Sequence, residues 1–343
     1  MSANDAPRGG IDLGGTKIQA AVVADGTKVL GQARRPTPTD GGPEKVAAEV
    51  VAAMQDALRD AGLEAGALAG IGVGSPGDVD EETGAVSNAR NLPDWGGTFP
   101  LGATLADELG VPVRVGNDVG VATEAEARLG AGRPYRSLIG VFWGTGVGGG
   151  IVLDGEHWLG RGGAGEIGHT VVKMGGRRCP CGRRGCLEAY AGRSAMEARA
   201  RREHEKGRKT DLFKIAKKHG RDRLTSGIWE RALKAKDPLA IELIDGAVEA
   251  LGAGIASAVN LLDVEAVIIG GGIGVRLGEP YKDRIVEEMH PHLFNDHRPP
   301  AVEVAALGDL GGAIGGALLS SMSDLERPRP KTTEPRAPVK VAS

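Results

Sequence analysis

Apolar and polar positions along the chain fall into two kinds of run, and one arrangement of them occurs twice. GGIDLGGTKIQAAVVADG, from residue 9, reads as an apolar strand, a break at Gly14 and Gly15, and a second strand that alternates. SLIGVFWGTGVGGGIVL, residues 137–153, repeats it, with a turn containing Gly144, Thr145, Gly146, Gly148 and Gly149. Between and after these hairpins apolar residues recur at three and four. That spacing predicts amphipathic helices over 43–62, stopped by Gly62, over 101–110 and over 238–263. GIGVGSPGDVD (70–80) reads as a buried strand entering a loop, and VPVRVGNDVGVATEAEARLG (111–130) as a strand entering a helix through Gly116, Asn117 and Asp118. The strand VEAVIIGGGIG (264–274), the strand VEVAAL (302–307) and the helix GGAIGGALLSSM (311–322) complete an α/β pattern.

A hairpin motif used once in each half predicts two related lobes facing a shared cleft. The expected division is a disordered segment at 1–9, a small lobe at 10–118, a larger lobe at 119–310 and a Pro-rich, charged, disordered tail at 324–343. A chain of 343 residues is long enough for two cores. With a net charge of -3, neither a membrane surface nor nucleic acid is expected as the main partner. No run approaches the about 18 apolar residues of a membrane helix, and MSANDAPRGG has no signal-peptide pattern, so a cytoplasmic protein with reduced thiols is expected. Residues 193–236 mix Lys and Arg with Glu and Asp and read as helices with a solvated face.

Chemistry enters first at the hairpins. A strand, a glycine turn with a threonine and a second strand can aim N–H groups and the Thr16 hydroxyl at an anion, beside Lys17, while Asp12 could hold a cation. The GxxxxGK[ST] spacing is absent and no helix follows, so this is not a P-loop. Gly271, within the glycine run after 264–269, is placed where a nucleotide could lie. The loop 88–95, NARNLPDW, suits either a polyol or turn caps. Asp118 has two readings as well, a helix cap or a general base at a strand end.

All three cysteines, Cys179, Cys181 and Cys186, lie within eight residues, with His169 ten residues before the first. Three thiolates and one imidazole form the donor set of a closed, structural zinc site. Buried free thiols and a basic zinc ribbon on nucleic acid are the competing readings. Two carboxylates, Glu166 and Glu188, flank the cluster.

Taken together, DLGGT at 12–16, NLPDW at 91–95, GND at 116–118, GTGVGGG at 144–150, GEIGH at 165–169 and CPCGRRGCLE at 179–188 resemble the ROK family of sugar kinases, and its bacterial glucokinases most. The resemblance spans about residues 10–322. It implies a two-lobed actin-like ATPase (ribonuclease H-like) fold, with a structural zinc loop and a C-terminal helix, about 311–323, packing back on the small lobe. It also implies ATP-dependent phosphorylation of glucose at the 6-hydroxyl, with Asp118 as general base. Asn91, Asn117, Glu166, His169 and Glu188 would meet sugar hydroxyls, Gly77 approaching through its backbone. Gly14 to Thr16 and Gly144 to Gly149 would bind ATP phosphates and Asp12 magnesium, in a homodimer or tetramer. Other hexoses, polyphosphate as donor, and a sugar-sensing regulator without catalysis are the alternatives. A ROK repressor is disfavoured, because Asp12 leaves no room for a preceding DNA-binding domain. One departure stands out: where many relatives place an asparagine two residues after the aspartate, this chain has Gly120.

Overall fold

The computed structural model describes residues 6–321; residues 1–5 and 322–343, and with them the whole expected tail, lie outside the described residues. The first half opens with β1 (Arg8–Leu13), β2 (Lys17–Ala24) and β3 (Lys28–Pro36), followed by α1 (Gly42–Ala61). The strand begins at Arg8, ahead of the expected boundary at residue 10, because Gly9 already donates to the Gly70 carbonyl at 3.0 Å. After β4 (Ile71–Ser75) comes a small antiparallel sheet of β5 (Asp78–Asp80), β6 (Ala85–Ser87) and β7 (Thr98–Phe99). Next are α2 (Leu101–Leu109), β8 (Val113–Asn117) and α3 (Asp118–Leu129).

The second half begins with β9 (Leu138–Trp143), β10 (Val147–Leu153) and β11 (Glu156–His157). A long insertion follows, carrying α4 (Glu188–Ala191), α5 (Arg193–Glu205), α6 (Leu212–Lys218), α7 (Ser226–Lys234) and α8 (Pro238–Leu262). The described residues end with β12 (Ala266–Gly270), α9 (Gly271–Leu277), α10 (Glu279–Met289), β13 (Ala301–Val304) and α11 (Gly311–Ser321).

The two large sheets repeat each other. Their orders are β3-β2-β1-β4-β8 and β11-β10-β9-β12-β13. In each, the first strand of the hairpin pairs antiparallel with the second and parallel with the next strand, β1 with β4 and β9 with β12. Parallel strands covered on both faces must be apolar throughout, and β4 and β12 are buried at every residue. One core gathers around α1 and its sheet, with Ile11, Met54, Ile71 and Leu105; the larger gathers around α8, with Trp143, Leu187, Trp229 and Ile255. Asp237 starts α8, its carboxylate accepting from the Ala240 N–H at 2.8 Å.

Helix α11 closes the molecule against β1, β4 and α3. Glycine makes that approach possible, since a Cβ at Gly10 would overlap the Ala313 carbonyl and one at Gly72 the Gly316 carbonyl. Buried Glu126, near the end of α3, accepts from the backbone of Ala131 at 2.9 Å, Ala306 at 3.0 Å and Leu307 at 2.9 Å, tying α3 to the segment that leads into α11. The charged stretch 193–236 forms α5, α6 and α7. Their inner faces put Met196, Leu212, Ile228 and Trp229 into the larger core, while Glu197 is held by Arg201 and Arg223. Among the described residues, no helix is long and apolar enough to cross a membrane.

Candidate active site

Asp12 lies on β1 opposite Gly74 of β4, and Gly74 in turn lies opposite Gly116 of β8, two residues before Asp118. Both carboxylates therefore emerge beside one strand end, and a Cβ at Gly74 would come 3.2 Å from the Asp118 Cα. The cap of α3 is Asn117, whose Oδ1 accepts from Val119 at 3.1 Å and Gly120 at 3.0 Å. Asp118 is thus the first helical residue, with a carboxylate that accepts from the adjacent Val119 N–H, at 2.9 Å.

Asp118 keeps partial solvent access, yet protein encloses it on most sides. That desolvation, followed by the charge of Asp12 and then that of Glu166, pushes its carboxyl up to about 7 against the Val119 hydrogen bond. Burial likewise raises Asp12, with Lys17 opposing. Asp118 thus feels one acid from each half of the chain, Asp12 and Glu166.

The glycine hairpins are tight. Gly14 donates to the Lys17 carbonyl at 2.9 Å and Gly144 to the Gly146 carbonyl at 3.0 Å, with Thr16 and Thr145 exposed at their tips. Gly148 and Gly149 do not belong to the turn; they lie within β10. Their lack of a side chain serves packing, since a Cβ there would stand 2.6 Å from Val119 Cγ2 and 2.6 Å from the Gly165 carbonyl. Lys17 is turned toward Gln19, at 2.8 Å, and Asp309, at 3.2 Å. Gly15 meets the sugar-loop candidate directly, its Cβ position 2.6 Å from the Asn91 carbonyl. Asn91 itself is exposed. Gly77, at φ 99°, links β4 to β5, and Gly271, at φ 79°, opens α9 against the Trp143 carbonyl.

His169, Cys179, Cys181 and Cys186 converge, with donor atoms all within 4.8 Å of one another. Cys179 Sγ lies 3.8 Å from His169 Nδ1 and Cys181 Sγ 3.7 Å from Cys186 Sγ. The other imidazole nitrogen, Nε2, is 3.8 Å from a Glu166 oxygen. Glu188 reaches the opposite way as well: Oε1 lies 3.8 Å from Cys179 Sγ, and Oε2 accepts from the Val147 N–H at 3.0 Å. The cysteine loop, the Glu166 segment and the second glycine turn are thereby connected by side chains.

Two neighbours have no local signature in the sequence. Arg193, the first residue of α5, donates through Nη2 to Thr145 Oγ1 at 2.7 Å. His157 packs against Gly120, where an added Cβ would stand 2.9 Å from its Cε1. Burial, with Arg128 nearby, holds that imidazole neutral down to about 4.

Two sheets of matching order, each with a glycine–threonine hairpin, and acids converging where the halves meet define an actin-like ATPase fold. Within that class the chain belongs to the ROK family, whose family model matches residues 8–322. It is 35% identical over 316 residues to a glucokinase of Thermotoga maritima, covering 90% of this chain and 95% of that one. To an N-acetylmannosamine kinase of Haemophilus influenzae it is 32% identical, over 90% and 93% of the two chains. Its structure is similar to that of a ROK family glucokinase from Streptomyces griseus in complex with glucose and AMPPNP, with a TM-score of 0.79, 31% identity and coverage of 91% and 98%.

Proposed function

We propose that this protein transfers the terminal phosphoryl group of ATP to the 6-hydroxyl of glucose, with Asp118 as general base. The observation that carries the reading is the position and state of Asp118: a carboxyl raised to about 7, between Asp12 and Glu166, at the end of a strand beside both hairpins. A base with that affinity for protons is half ionised near neutral pH and well matched to a hydroxyl that loses its proton as it attacks. Glucokinase relatives on either side of the comparison support the substrate.

The chain's own residues divide the remaining work. Asn91, Asn117, Glu166, His169 and Glu188, with the Gly77 backbone, orient the sugar; Gly14, Gly15, Thr16, Gly144, Thr145 and Gly146 present N–H and O–H donors to the phosphates, and Gly271 lies under the nucleotide. Asp12 would hold magnesium, which neutralises charge on the donor phosphates when bound. Phosphoryl transfer demands little covalent chemistry from a protein, so positioning supplies much of the rate. Lys17 is assigned to holding Asp309 rather than to phosphate contact, in keeping with its partners.

Zinc fits the cysteine cluster. Tetrahedral Zn–S bonds of about 2.3 Å set sulfur atoms about 3.7–3.8 Å apart, and the Cys181–Cys186 separation is 3.7 Å. Bound through Nδ1, His169 keeps Nε2 free on the Glu166 side.

A second acceptor class is favoured by one observation: an N-acetylmannosamine kinase is nearly as similar in sequence as the glucokinase. Release of ADP from magnesium-ATP, followed with glucose, mannose, fructose and N-acetylmannosamine at equal concentration, decides between them. The expected result is a clear preference for glucose. Preference for the N-acyl sugar would move the chain to the second class, and no turnover with any sugar would overturn the kinase reading.

A further inference from the structure

The phosphate turn of the second hairpin rests on the start of α5. Arg193 N–H donates to the Gly144 carbonyl at 3.1 Å and Ser194 N–H to the Thr145 carbonyl at 3.0 Å. The Arg193 side chain folds back beneath the same turn. Its Nη2 donates to Thr145 Oγ1 at 2.7 Å and its Nη1 to the Leu224 carbonyl at 3.3 Å. A hydroxyl that accepts from a guanidinium still has its own hydrogen to give. With its carbonyls and hydroxyl oxygen all turned toward α5, the Gly144–Thr145 turn keeps that hydrogen as a donor toward the cleft.

Arg193 is also only 9% exposed. The nearest acid along α5, Glu197, pairs instead with Arg201 and Arg223, and among the described residues no carboxylate forms an ion pair with Arg193. A buried cation without an ion-pair partner is costly; burial, then the charge of Arg223, lowers its proton affinity, and Glu197, engaged by its own two arginines, opposes this only in part. Thr145, one hydrogen bond away, is exposed. An anion seated on the turn would face a positive charge that no carboxylate among the described residues pairs with directly.

We propose that Arg193 is a positioning residue for the phosphoryl donor: it orients the Thr145 hydroxyl and sets a buried positive charge with no direct ion-pair partner behind the Gly144–Gly146 turn. This rests on the reading of that turn as a phosphate site. The role is distinct from nucleoside recognition, which a guanidinium below the turn does not reach.

The test is calorimetric titration of AMPPNP with magnesium, and separately of adenosine, into the full-length wild type, Arg193→Met, Arg193→Lys and Thr145→Val. Loss of a charge-assisted hydrogen bond and its charge predicts AMPPNP binding weaker by about tenfold or more in Arg193→Met. Adenosine affinity should stay within about twofold and Arg193→Lys should recover part of the loss. Should the methionine variant fail to fold, Arg193→Gln, which keeps a donor without the charge, carries the same comparison. Arg193→Met binding AMPPNP as the wild type does, or weakening adenosine and AMPPNP alike, overturns the proposal. Thr145→Val separates the two levels. If it weakens AMPPNP alone while Arg193→Met does not, the turn is a phosphate site and only the role of Arg193 falls. If neither variant alters AMPPNP binding, both fall.

Discussion

Asp118 illustrates how a residue's chemistry is set by what surrounds it. Its folded pKa, about 7, lies above the ordinary value of 3.8, so folding favours the protonated form. The penalty for ionisation is absent below the unfolded value and grows until pH passes about 7. Asp118→Asn should therefore stabilise the protein by roughly 1–3 kcal/mol at about pH 8, a figure reduced from the full shift because the group keeps some solvent access, and the gain should vanish toward about pH 4. Thermal melts across that range check it; a gain independent of pH would contradict the assignment. Gly120 yields a second test at this scale. His157 occupies the space that a side chain at this position would need, with Cε1 at 2.9 Å and Nε2 at 3.1 Å from where a Cβ would be. Gly120→Ala should cost about 1–3 kcal/mol from overpacking, and adding His157→Ala should return part of it. Simple additivity in the denaturant midpoints would show that the two residues do not meet. Asp118 could be picked out in the sequence only as a strand-end carboxylate whose proton affinity is set in the folded chain by burial, Asp12 and Glu166, whereas the Cys/His cluster, with its donor residues at close spacing, was legible there. His157 and Arg193 were not, since each acts on a residue at least 37 positions away.

At the scale of elements, the cysteine loop and Glu126 show two ways of fixing a segment. His169 and Glu188 both touch the cluster, and Glu188 also holds the Val147 N–H. Cys181→Ser should consequently lose bound metal and turnover together, with activity down by about 10-fold or more from misplaced ligands. Metal analysis beside a kinetic assay checks this; an active, metal-free variant would reduce the loop to a bystander. Glu126 holds three backbone N–H groups in the interior. Glu126→Ala should leave them without acceptors and cost about 2–4 kcal/mol, visible as a lower denaturation midpoint. A loss under about 0.5 kcal/mol, the range of an ordinary surface change, would show that water or a shifted backbone replaces the carboxylate. Periodicity foretold the helices well, because α1 and α8 bury one face over many turns. It misjudged Gly148 and Gly149: glycine-rich sequence reads as a turn, whereas here it permits β10 to lie against Val119 and Gly165. The little sheet β5-β6-β7 escaped notice because strands of two or three residues carry no usable alternation.

The whole molecule is two copies of one strand plan joined by α3 and closed by α11. That plan was visible in the sequence as two hairpins of similar composition, and the matching sheet orders bear it out. What the pattern could not supply is the meeting of Asp12, Asp118 and Glu166, which needs β1, β8 and the segment before the cysteine loop brought together in space. The claim that this meeting point is a hexose kinase centre with an aspartate base is tested most directly by phosphorus NMR of the product formed from glucose and magnesium-ATP, by the wild type and by Asp118→Asn. The expected spectrum shows phosphate on oxygen 6 with the wild type, and a rate lower by about 10²–10⁴ with the variant, while glucose affinity stays within several-fold. Phosphate on another carbon, or turnover by Asp118→Asn close to that of the wild type, would contradict it.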